Sequence, residues 1–327
     1  NRVMNLILSV SKPQPEELWF RDGARVTMND FERYRLNSDL EQIPDTVEVH
    51  FGMVTERADM RTWPSSDIVF RSRETIDLDR FQENGLFPGD VVAVLHESAD
   101  GLWYFVQSYN YAAWVPGEKV AIGQREEILA HVNSEPFIVI TGDRVITRYK
   151  PESAPPTELQ LEMGTRLPLI SSENETGYAV KLPVRNVNGG LEFCTGLIAH
   201  DQDVHEGYLP YTRRNILQQA FKFLGERYGW GHSFNARDCT GLVLEVYKTF
   251  GFVFPRNSGQ QGHSEIGKNL FFSPGASSQE RLQVLERLEV GDLLYSPGHV
   301  MLYLGIYEGE HYVIHDVSGS GMTDENC

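Results

Sequence analysis

Three side chains in this chain of 327 residues have the types and order to carry nucleophilic chemistry: Cys239, His299 and His315. Cys239 stands in Asn235-Ala236-Arg237-Asp238-Cys239-Thr240-Gly241-Leu242-Val243, where a polar loop gives way to apolar residues at helical spacing. Those residues are Leu242, Val243, Val246, Tyr247 and Phe250, with Gly251 as the stop. Asp238 is a good N-cap type, so the spacing predicts Cys239 in the first helical turn. Unpaired backbone N–H groups and the helix dipole favour an anion there. The expectation is a thiol acidified from about 8.5 toward roughly 3.5–7.5. Taken alone, Cys239 reads equally well as a small core residue at a helix start, because free cysteine is among the most buried residue types.

His299 follows a Pro297-Gly298 turn and opens an apolar run, Val300-Met301-Leu302-Tyr303-Leu304, rich in strand formers. His315 lies in Tyr312-Val313-Ile314-His315, read as the next strand, with Glu308-Gly309-Glu310 as a hairpin turn between them. Each histidine alone reads as a satisfied core or surface residue. In order, on a helix start and two adjacent antiparallel strands, the three make a papain-like arrangement: a thiol, an imidazole to take its proton, and a second polar group to orient that imidazole. A zinc site is not indicated, since the three cysteines lie far apart and neither CxxC nor HExxH occurs.

The stretches Tyr228-Gly229-Trp230-Gly231, Asp238-Cys239-Thr240-Gly241-Leu242-Val243, Phe254-Pro255-Arg256-Asn257-Ser258-Gly259-Gln260, Val290-Gly291-Asp292-Leu293, Gly298-His299-Val300 and Val313-Ile314-His315 extend the pattern. With them, residues 213–327 resemble the NlpC family of papain-like cell-wall peptidases. The resemblance implies Cys239 as nucleophile, His299 as base and His315 as the orienting residue. It places Tyr228 near an oxyanion hole with the backbone N–H of Cys239. It puts Trp230, Asp238, Thr240, Asn257, Ser258 and Gly298 on the substrate side, with helix cap and core as competing roles for Asp238 and Trp230. The bond cut would be the amide between γ-D-glutamate and the diamino acid, meso-diaminopimelate, of peptidoglycan stem peptides, with no metal or cofactor.

Two further positions bear on substrate. In relatives with two small barrels, an aromatic just before a Trp-x-Pro segment can meet the substrate, and Tyr111, ahead of Trp114, is the candidate; an ordinary barrel-surface tyrosine is the alternative. Relatives that recycle wall fragments carry an acidic residue in a Pro-Arg-Asp-Ser segment that holds a free L-alanine amine. Here the residue is Asn257, and a neutral partner forgoes a charge-assisted bond about twice as strong. The expectation is therefore a lysin acting on stem peptides still attached to glycan. The alternatives are a recycling endopeptidase restricted to free stem peptides, a non-catalytic wall-binding protein, and a transferase whose thioester is intercepted by an amine. Thr240 keeps the hydroxyl of the more usual serine, and His232, where relatives often have glycine, either shapes the groove or is exposed.

A net charge of −17 argues against nucleic acid, whose phosphates need lysine and arginine. Binding to anionic polymer would then rest on shape and specific polar contacts. No apolar run is long enough to span a membrane, and residues 4–10 are too short for an anchor. Asn1 is not a start methionine, so the expectation is that a signal peptide has been removed or left out, and that the protein is periplasmic or secreted to the cell envelope, as a monomer. Cys194 reads as a structural thiol in a strand, Cys327 is the last residue, and no disulfide is expected. The chain stops soon after His315, where the family adds a strand, so the sequence reads as cut short.

The expected fold is α+β: a papain-like catalytic domain at the C-terminus, preceded by two small SH3-like β-barrels and an N-terminal wrapping segment. The expected boundaries are 1–50 for the wrapping segment, 51–135 and 136–212 for the barrels, and 213–327 for the peptidase domain. Strands are predicted at 91–96, 103–107 and 113–116, and the rhythm repeats from Gly164 to Tyr178. Helices are predicted near 29–34, 213–224 and 281–288 and after Cys239, with a loop over 257–269.

Overall fold

Thr27 and Asp30 cap each other's backbone N–H groups, and this box starts helix α2 (Met28–Asn37), longer than the predicted 29–34. Ahead of it lies α1 (Arg2–Val10), a helix the sequence reading did not anticipate. Its signal was present: Val3, Leu6, Ile7 and Val10 recur at helical spacing and pack against Phe105, Ala112 and Trp114. Leu18, Phe31 and Tyr34 join Trp63, Val69 and Phe81 in a second cluster, so the N-terminal segment is held on strands that follow it. The structure, a computed structural model, describes residues 2–14, 16–74, 76–148, 158–173 and 176–319; Cys327 lies outside them.

The first barrel is a seven-stranded antiparallel sheet in the spatial order Gln82–Leu86, Ala58–Arg61, Ala112–Pro116, Trp103–Gln107, Val91–Glu97, His50–Val54, Val120–Gly123. Alternation puts Val92, Val94, Val106, Ala113 and Val115 into one core with Met60, Leu86 and Val120. A short helix, α3 (Arg125–Val132), also unforeseen, leads to the second barrel. That sheet has five strands, in the order Leu191–Ile198, Tyr178–Arg185, Arg166–Ser171, Phe137–Ile140, Val204–Glu206, around Ile138, Ile140, Leu167, Val180, Leu182 and Ile198.

The last part contains α4 (Arg213–Phe221), α5 (Cys239–Lys248), α6 (Ser258–Gly262) and α7 (Ser278–Leu285), with a three-stranded sheet of Leu293–Ser296, His299–Tyr307 and Glu310–Ile314. Three predictions are corrected here. Residues 257–269 are not all loop, because α6 forms at Ser258. Helix α7 begins three residues early, because Ser277 and Glu280 form a capping box. His315 follows the final strand rather than lying in it. The hairpin turn is as expected, with Glu308 and Gly309 both left-handed at φ 52° and 86°.

Helix α5 departs from its expected amphipathic form, since every residue from Cys239 to Tyr247 is buried. Leu242, Val243 and Val246 pack on Val300, Leu302 and Ile314 of the sheet. Each such side chain contributes about 1.5–3 kcal/mol on burial. The opposite side is covered by the preceding loop and the barrels: Glu245 meets His232 and Arg237, and Lys248 faces Asp90 of the first barrel. Gly164 of the second barrel, at φ 84°, comes so close that a Cβ there would sit 2.4 Å from the Cβ of Lys248. Two restraints therefore demand glycine at this position, the left-handed backbone and the helix against it.

Candidate active site

Asp238 caps α5: its Oδ1 accepts from the Gly241 N–H at 2.8 Å and the Thr240 hydroxyl at 2.9 Å. Its Oδ2 accepts from Arg256 at 2.5 Å and from the Gly231 N–H at 3.1 Å. Burial, the largest single influence, opposes this carboxylate, but Arg256, His232 and the Gly241 N–H together outweigh it and hold Asp238 far below the usual carboxylate range. Arg256 is itself buried, bonded to Asn84 Oδ1 of the first barrel and to the Thr240 hydroxyl as well as to Asp238. The Thr240 hydroxyl is thus committed to the cap rather than presented to a groove.

Cys239 follows directly and is 8% exposed. The backbone N–H of Val300 reaches its sulfur, so the first residues of the strand His299–Tyr307 meet the first residue of α5. At the head of that strand, His299 Nε2 lies 2.8 Å from His315 Nδ1. Gly298, exposed at φ 77°, makes the turn before it. Burial lowers the basicity of His299, and the neighbouring His315 lowers it further. The expected acidified thiol is not observed: burial pushes Cys239 up, the Asp238 carboxylate adds to this, and the N–H groups of Val300 and Thr240 together with Arg256 only partly oppose it. The helix start supplies its donors, but dehydration and an adjacent carboxylate prevail.

Tyr228 is half-buried, and its hydroxyl is pushed well up by burial and by Asp238, Cys239 and Asp316 around it. Trp230 is partly exposed, not core, and its indole N–H donates to Gln82 O at 2.9 Å. Ser258 is buried at the first position of α6, whereas Asn257 is exposed and makes no side-chain cap bond. Tyr111 is not a free barrel-surface residue: its hydroxyl donates to Glu83 Oε2 at 2.5 Å, and the charge of Arg256 acts on it. His232 is neither exposed nor on the groove; it is buried between Gly85, Phe87 and Glu245.

Motif reading missed three groups. Arg256 lies in one of the matching stretches, but nothing in the sequence gives it a role. Glu83 carries no motif and is identified by its bonds to Tyr111 and Thr62. Asp316, next to His315, is pushed up to about 7 by burial and by the carboxylates of Glu226 and Asp238. Among the described residues, no three His, Cys, Asp or Glu side chains are grouped to hold a metal ion.

Residues 225–326 match the NlpC/P60 family, and residues 69–116 match an SH3 domain of the SH3b1 type. A γ-D-glutamyl-L-lysine dipeptidyl-peptidase of Bacillus cereus is 25% identical over 80% of this chain and 76% of its own length. A Bacillus subtilis protein of the same name is 31% identical over 45% of each chain. Among solved structures, an NlpC/P60 endopeptidase from Photobacterium damselae subsp. piscicida superposes with TM-score 0.80 at 21% identity, covering 96% of this chain and 71% of that one. At that identity the likeness speaks for the fold.

Proposed function

With a C-terminal NlpC/P60 domain as premise, we propose that this cysteine peptidase cleaves the γ-D-glutamyl–meso-diaminopimelate amide of peptidoglycan stem peptides, and does so in intact wall. The observation that carries the chemistry is the pairing of His299 Nε2 with His315 Nδ1 on the strand whose next N–H reaches the Cys239 sulfur. Because Nε2 of His299 is engaged, Nδ1 is the nitrogen left to take the thiol proton. That tautomer has Nε2–H donating to His315, whose own proton sits on its other nitrogen.

In the reaction the Cys239 sulfur attacks the γ-carbonyl of D-glutamate while its proton passes to His299. The oxyanion forms beside the Cys239 backbone N–H, which has no intrahelical acceptor at the first position of α5. Tyr228, held protonated by its surroundings, supplies a second donor. The imidazolium returns its proton to the departing amine, and water then opens the thioester through the same imidazole. Asp238 and Arg256 fix the helix start. Trp230 and Ser258 line the groove, and Tyr111 closes one end of it.

His299 must be neutral to act, so the acid limb of kcat/KM is expected below its ordinary 6.5. His315→Asn removes the imidazole that holds His299 in this tautomer, so kcat is expected to fall by roughly 10²–10⁴-fold with little change in KM. Unchanged kcat in the variant would contradict the roles given to the pair.

Action on intact wall rests on the neutral, exposed Asn257. A second reading, restriction to free stem peptides, is favoured by the Glu83 carboxylate on Tyr111, since an acid at that end could hold a free amine. Purified sacculi and free L-Ala-γ-D-Glu-diaminopimelate offered side by side decide between them, and release from sacculi is expected. Cleavage of the free peptide alone would establish the second reading, and Asn257→Asp should strengthen preference for free amines. Action on intact wall would place the protein outside the cell or in the envelope, whereas free stem peptides carry no such requirement. No helix among the described residues is long and apolar enough to cross a membrane.

A further inference from the structure

The loop Trp230–Asn235, between Tyr228 and the Asp238 cap, folds through left-handed backbone at Gly231, His232, Phe234 and Asn235, with φ of 55°, 66°, 57° and 56°. For His232 and Phe234 such a conformation is strained; asparagine tolerates it better. Strain of this kind persists only where the surroundings over-determine it.

Here both barrels do so. From the first, Arg57 donates to His232 O, Gln82 Nε2 donates to Gly231 O at 2.8 Å, and Trp230 Nε1 donates to Gln82 O at 2.9 Å. Close packing adds to this: a Cβ on Gly85 would lie 2.9 Å from His232 Cβ, and the Phe87 ring meets the imidazole edge-on at 5.1 Å. From the second barrel, Gln160 and Asn235 exchange side-chain hydrogen bonds at 2.6 and 2.9 Å. Glu162, 1% exposed, ties the two anchors together by accepting from both Arg57 and Gln160. The loop passes this on to the site through the Gly231 N–H on Asp238 and the Gly229 N–H on Arg237 O.

We infer that the two barrels form a two-point clamp on this strained loop, and that Arg57 and Gln160, which have no part in the peptidase chemistry proposed above, are positioning residues that hold the Tyr228–Cys239 site in register through Trp230–Asn235. In this arrangement the barrels complete the catalytic geometry in addition to any contact they make with substrate.

The test uses the full chain carrying Arg57→Ala or Gln160→Ala, each with and without Phe234→Gly. Glycine adopts the left-handed backbone freely, and Phe234 is half exposed, so this change relaxes the loop and removes the stacking of Arg227 on its ring. Each single variant is expected to lower kcat on the order of 10–100-fold with little change in KM. The pH midpoint of Cys239 alkylation by iodoacetamide, located by mass spectrometry, should move down as the loosened site hydrates the thiol. Phe234→Gly should restore most of the lost kcat, a rescue that mere destabilisation would not show. Wild-type kcat and alkylation midpoint in both variants, or a loss that Phe234→Gly does not repair, would overturn the clamp. If Arg57→Ala does not fold, Gln160→Ala reads the same question from the other barrel. If the unaltered protein cleaves no wall peptide, the peptidase reading fails while the alkylation midpoints still test the clamp.

Discussion

Cys239→Ala is expected to stop amide cleavage, with kcat falling on the order of 10⁴-fold or more. The oxyanion donors and the groove survive the change, so substrate should still bind. Loss of one sulfur at a site that is 8% exposed costs about 1 kcal/mol or less of stability, which separates a chemical defect from an unfolded protein. Hydrolysis of L-Ala-γ-D-Glu-diaminopimelate followed by chromatography, beside calorimetry of the same sample, measures both. Cleavage by the variant within tenfold of the unaltered protein would remove the thioester mechanism, and the pairing of His299 with His315 could not rescue it.

The largest effect on stability is expected at Arg256, which lies buried between the first barrel and the helix start. Arg256→Met leaves the Asp238 carboxylate buried without its main counter-charge, a loss of about 3–5 kcal/mol. The pH dependence carries a sign. Asp238 is depressed in the folded state, so its pairing stabilises fully above the ordinary carboxylate value of 3.8 and is lost as pH falls through the depressed folded value. Without Arg256 the carboxylate moves up. Acid unfolding should therefore set in at higher pH in the variant, and part of the lost stability should return in Arg256→Met combined with Asp238→Asn. Urea midpoints across pH for the three proteins report this; equal midpoints would mean the pair contributes nothing to the junction.

The elements under Cys239, His299 and His315 were readable because each carries a local signal. Asp238 before an apolar 3.6-residue period announces a capped helix, Pro297-Gly298 announces a turn, and the apolar residues after His299 announce a strand. Helices α1 and α7 are legible in principle, from Val3, Leu6, Ile7 and Val10 and from the Ser277–Glu280 box, although the expected elements include no helix at α1 and begin α7 three residues late. Other properties had no local signature. The Cys239 thiol was expected to be acidic from the helix start alone, and its burial beneath the strand of Val300 reverses the direction. His232 was expected to be exposed or on the groove, and the first barrel buries it.

Local sequence therefore determined which residues could react and on what elements they stand, because capping, periodicity and turn chemistry act over a few residues. Only the tertiary structure decided their protonation, their partners and their support. Burial of Cys239, the Arg256 bridge from Asn84 to Asp238, and the barrel contacts on Trp230–Asn235 join residues far apart in the chain. Desolvation and ion pairing depend on that surrounding packing, which no single segment encodes.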